Sequence, residues 1–92
     1  MTIPSVRADT GPWSWLRGDL HTHCENAAQI GAYVEHIDRR LDFVALTNHG
    51  QKPVFFEQHH MVADLRQRWT RGIVLSGVEW NAPGGGHACV VF

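Results

Sequence analysis

The sequence predicts an α/β fold with the element order βαβαββ, in which parallel strands are joined by crossover helices and a hairpin closes the series. Three observations carry this reading. Two stretches place apolar residues at helical spacing, the short apolar runs that follow them fit buried strands, and a glycine-rich turn near residue 84 is followed by another apolar run.

Residues 1–15 carry Pro4, Gly11 and Pro12 among small polar residues and read as a flexible lead-in, closed by Trp13 and Trp15, whose indoles anchor it. A single domain over residues 16–92 follows. Residues 16–23 read as a short strand. Over residues 26–40, Ile30, Val34, Ile37 and Leu41 recur at i, i+4, i+7 and i+11, one face of a helix that Asn26 can cap. Phe43-Val44-Ala45-Leu46 is a continuous apolar run that suits a strand covered on both faces, and it ends in the polar Thr47-Asn48-His49-Gly50. Pro53 suits the first turn of a second helix, where its missing N–H costs nothing. Phe55, Val62, Leu65 and Trp69 then share a face, and Gly72 terminates the helix. Ile73-Val74-Leu75 opens a third strand that runs through Val78 and Glu79 to Trp80. Residues 82–86 form a turn, and residues 87–92 return as a strand.

Composition narrows the function. A chain of 92 residues has room for one small domain. Eight basic against nine acidic side chains give no positive field for nucleic-acid binding and no acidic tail. No apolar run approaches the ~20 residues needed to cross a bilayer, so no membrane partner is expected. Two cysteines, Cys24 and Cys89, are too few for a disulfide scaffold, and no secretory leader is evident, so the expected setting is cytoplasmic. Histidine stands out instead, with seven in the chain.

Position decides which of these histidines matter. His21, His49 and Glu79 recur at intervals close to the ~30 residues of one βαβ unit, each at the C-terminal end of an expected strand. Parallel strands in register bring those ends together on the face where α/β folds place their active sites. His21 and His23 are two apart on a strand and point the same way, while Thr22 and Cys24 point the other, which makes Cys24 a core thiol. His87 returns beside Glu79 through the hairpin. Imidazoles and one carboxylate make a credible site for Zn²⁺, Mn²⁺ or Fe²⁺. Asp19 shares the parity of His21 and could either orient a ligand imidazole or bind a backbone amide, and Asn48 has the same two options. His36 falls on the polar face of the first helix and is read as solvated, while His60 projects away from the apolar stripe of the second helix and His59 lies at its margin, so neither is read as a ligand. Gly84-Gly85-Gly86 lacks a following lysine or helix start, so it reads as a turn rather than a phosphate cradle.

Arg17-Gly18-Asp19-Leu20-His21-Thr22-His23, Asp42-Phe43-Val44-Ala45-Leu46-Thr47-Asn48-His49-Gly50, Gly77-Val78-Glu79 and Gly86-His87-Ala88 resemble, in order and spacing, the successive motifs of the PHP (polymerase and histidinol phosphatase) superfamily. The tryptophan-rich approach to Arg17 looks most like its branch of carbamate- and phosphoester-cleaving hydrolases. The resemblance implies the N-terminal portion of a distorted (βα)₇ barrel holding one to three Zn, Mn or Fe ions. It makes His21, His23, His49, Glu79 and His87 metal ligands, with Glu79 bridging two ions and Glu79 and His49 central to catalysis on a small phosphoester or related ester. The sequence departs from the pattern in three places. Asn26-Ala27-Ala28 stands where a further ligand is usual, with Glu25 the substitute within reach. Thr47-Asn48-His49 replaces Thr-Asp-His. The chain reaches Phe92 before the family's later ligand motifs, which implies a partial domain with a missing C-terminal half. Other readings follow: a non-catalytic metal-binding fragment that associates through an open sheet edge, a truncated remnant with no function of its own, and a polymerase-associated domain of the same family.

Overall fold

Alternating apolar runs and helical stretches become β1 (Gly18–Thr22), α1 (Ile30–Asp38), β2 (Phe43–Leu46), α2 (Val54–Arg68), β3 (Ile73–Asn81) and β4 (His87–Val91) in a computed structural model that describes residues 14–92. A turn of 3₁₀ helix, Ala27–Gln29, leads into α1. The strands form one sheet in the order β1-β2-β3-β4, with β1, β2 and β3 parallel and β4 antiparallel. The sheet curls far enough for β4 to touch β1. The lead-in expected over residues 1–15 lies, up to residue 13, outside the described residues. Trp15 is 67% exposed, so its indole does not anchor the segment as expected.

Asn26 caps the first helical segment, its side-chain oxygen accepting the amide of Ala28 at 2.8 Å. Pro53 precedes α2 with a helical φ of −56°. Both helices bury the same face of the sheet: Ile30 and Ile37 of α1 and Met61, Val62, Leu65 and Trp69 close over Val44, Leu46 and Val74. Each fully buried aliphatic side chain there is worth about 1.5–3 kcal/mol of transfer free energy. The buried stripe of α2 differs from expectation. Phe55 is only half covered and Gln58 is buried, because the Gln58 amide finds polar partners beneath the helix. Its Oε1 accepts the amide of Asn48 at 2.9 Å, and its Nε2 donates to the Gly77 carbonyl at 2.6 Å and to Ser76 Oγ at 3.1 Å.

The N-terminal end of the parallel strands is tied by acids. Asp42 Oδ2 accepts the Arg17 amide at 2.9 Å, and Asp38 Oδ1 accepts the Trp69 indole and the Arg71 guanidinium, each at 2.8 Å. At the other end, Gly77 lets β4 approach. A Cβ there would run into the Val90 carbonyl and the Thr47 methyl, so only glycine permits this crossing. The turn at Gly84, Gly85 and Gly86 takes positive φ at all three residues, as a glycine run allows. No helix among the described residues is long and apolar enough to cross a membrane.

Candidate metal centre

The site is built by extending the ladder between β2 and β3 past Leu46. Glu79 donates its amide to the Asn48 carbonyl at 3.1 Å and accepts the Gly50 amide at 3.0 Å, which sets His49 beside Glu79. On its other side Glu79 is the register partner of Cys89, and Asn81 that of His87. Thr47 fastens β1, its amide and hydroxyl both donating to the Thr22 carbonyl at 2.8 and 3.2 Å. Buried Asn48 accepts the Cys24 amide at 3.1 Å, fixing the chain just after the His-x-His pair. The C-terminal ends of three parallel strands and the start of the return strand therefore converge on Glu79.

Glu79 is 2% exposed and faces four imidazoles. Its Oε1 lies 2.5 Å from His21 Nε2 and 2.7 Å from His23 Nε2, while Oε2 lies 2.5 Å from His87 Nδ1 and 3.4 Å from His49 Nδ1. The rings step around the carboxylate, with centroids 5.2 Å apart for His21–His23, 4.8 Å for His23–His49 and 5.5 Å for His49–His87. Burial by itself would raise the Glu79 pKa. Hydrogen bonds from His21 and His23, the charge of His49 and the contact with His87 outweigh it and hold the group at about 2, ionised at neutral pH.

All five residues expected as ligands, His21, His23, His49, Glu79 and His87, are thus brought together. The other histidines are not: His36 Nδ1 lies 2.8 Å from Arg40, and His59 and His60 stack against each other. Asp19 takes the second of its two options, its Oδ1 accepting the backbone amide of His21 at 3.0 Å. A register shift between Asp19 and Thr22 breaks the alternation on which the shared parity rested. Asn48 likewise binds an amide. Glu25 Oε1 lies 3.5 Å from His23 Nδ1, the nitrogen turned away from Glu79. A cleft of about 560 Å³, lined by Glu25, Ile30, Val54, Glu57 and Met61, runs beside the cluster and not over it. Cys24 is a core thiol, 3% exposed, whose pKa burial pushes up.

Two contributors escaped the sequence reading. Cys89 faces Glu79 across the hairpin, and the register was the available signal, since His87 and Cys89 share strand parity. Gln58, which ties the chain at Asn48 to β3, gave no signal, because a glutamine on a helix is ordinarily exposed.

The donor set could hold a metal ion. His23, His49 and Glu79 form one group, and His21, Glu79 and Cys89 another, with ligand atoms in each group within 4.8 Å of one another. His49 Nδ1 is buried and makes no hydrogen bond among the described residues, with Glu79 Oε2 3.4 Å away. Two ligands of one tetrahedral ion stand about 3.4–3.6 Å apart. The imidazole nitrogens lie 2.5–3.4 Å from the Glu79 oxygens, hydrogen-bond distances that an entering ion would widen to that separation. No family model matches the chain, and neither a curated protein nor a solved structure matches it.

Proposed function

We propose that this chain is the N-terminal part of a PHP-type metal-dependent hydrolase acting on small phosphoesters or related esters. His21, His23, His49, Glu79 and His87 would be the metal ligands in this reading, with Glu79 as the ligand that two ions would share. The observation that carries it is the buried Glu79 carboxylate, which divides its two oxygens between the His21–His23 pair and the His49–His87 pair. Bound Zn²⁺, Mn²⁺ or Fe²⁺ supplies a water of lowered pKa and polarises a phosphoryl oxygen.

The chain's own residues prepare that chemistry. Glu79 stays ionised and keeps negative charge where cations must sit. Glu25, 3.5 Å from the far nitrogen of His23, helps to hold that ring in place. His49, adjacent to Glu79 on the ladder, keeps a nitrogen free of other hydrogen bonds. The motif order from Arg17 to Ala88 supports the same family, and the uncovered apolar side chains Leu20, Val90 and Phe92 at the sheet's edges suit further strands that would continue it toward a (βα)₇ barrel. The same exposed edges support a second reading, a metal-binding fragment that associates with another copy; concentration-dependent light scattering distinguishes it.

The test is hydrolysis of an aryl phosphate with Mn²⁺ or Zn²⁺, by the 92-residue chain and by a chain extended with further C-terminal sequence. The reading predicts turnover by the extended chain that Glu79→Gln and His49→Ala abolish. An extended, metal-loaded chain inert toward aryl phosphates would overturn it.

A further inference from the structure

We propose that Cys89 is a thiolate ligand of the metal centre, so that the group His21, Glu79 and Cys89 takes a thiophilic ion, Zn²⁺ in preference to Mn²⁺. The inference rests on the metal-centre reading above and adds to it a sulfur donor and a metal preference.

Three features of the fold place the thiol there. Glu79 and Cys89 are direct cross-strand partners. The hydrogen bonds of this hairpin fall on Ala82 with Gly86 and on Ser76 with Phe92, so Glu79 and Cys89 form a non-hydrogen-bonded pair, the kind whose side chains stand closest. The curl of the sheet carries β4 to β1, which adds His21, and the three donor atoms come within 4.8 Å of one another. The thiol's nearest hydroxyl partner, Thr47 Oγ1, is 3.9 Å away, so no strong hydrogen bond competes with metal binding.

The chemistry of the donors sets the preference. One imidazole nitrogen, one carboxylate oxygen and one thiolate sulfur suit zinc, while sulfur disfavours the hard ions Mn²⁺ and Mg²⁺. On ligation the thiol loses its proton to solvent and the S–metal bond takes its place. The neighbouring group, His23, His49 and Glu79, has no sulfur. The two groups share Glu79 and differ in one donor type, sulfur in place of an imidazole nitrogen, so their metal preferences differ.

The test is a Co²⁺ titration of the metal-free 92-residue chain, because visible d–d bands report binding and a near-ultraviolet sulfur-to-cobalt charge-transfer band reports a thiolate ligand. The wild type should show both. Cys89→Ser should lose the charge-transfer band and keep the d–d bands, and Cys24→Ser should keep both, which holds the assignment even if one variant misfolds. Tetrahedral d–d bands in the wild type without charge transfer would overturn the role of Cys89 and leave the metal centre standing. No d–d bands at all would overturn both.

Discussion

Seven histidines divide into two populations with the same side chain and different surroundings. His36, His59 and His60 sit on or against helices, where the nearest partner is Arg40 or a neighbouring imidazole. His21, His23, His49 and His87 sit at strand ends and converge on one buried carboxylate. Successive residues on a helix fan out by about 100° and disperse their side chains, whereas parallel strands in register stack their ends. An imidazole's place in the topology, more than the number of imidazoles, makes a site.

Removing the shared carboxylate breaks this comparison most severely. Glu79→Gln keeps the shape and loses the charge, and divalent metal detected by elemental analysis should fall from about one or more equivalents to none. Leu65→Ala strikes the helix-covered face instead and should cost about 2–5 kcal/mol in denaturant unfolding. That loss threatens the whole fold, since Leu65 is fully buried in the core. Gly77→Ala drives a Cβ against the Val90 carbonyl and should cost about 1–3 kcal/mol, with the loss of order measured by amide exchange concentrated in β4.

Acid sharpens the comparison further. Glu79 is held at about 2, below its ordinary 4.5, so its contribution to stability is complete above 4.5 and disappears as the pH falls toward 2. Thermal melts of the metal-free chain across that range should lose stability steadily, and Glu79→Gln should flatten the dependence. The helical histidines give the smallest effect. Combined His59→Ala and His60→Ala should leave metal content unchanged and shift stability by no more than about 0.5 kcal/mol.

Much of this was legible in the sequence because the apolar runs at Phe43 and Ile73 suit strands and the spacing from Ile30 to Ile37 suits a helix, although the helix ends at Asp38 and leaves Leu41 beyond it. The turn at Gly84, Gly85 and Gly86 fixed the return of His87 to Glu79. What escaped depends on long-range pairing. The irregularity between Asp19 and Thr22 arises only when β1 meets β2, so the sequence left both options for Asp19 open and the fold selected the His21 amide. Burial of Gln58 depends on the Asn48 amide and Gly77 carbonyl lying beneath α2, which no local pattern encodes. Cys89 was visible only through the register of the hairpin.

The central claim is that the strand-end histidines and Glu79 hold a divalent ion. Elemental analysis of the purified 92-residue chain beside His49→Ala tests it most directly. About one or more equivalents of Zn, Mn or Fe in the wild type, lost in the variant, is the predicted result. A wild-type chain that takes up none of these metals when they are supplied in excess would contradict it.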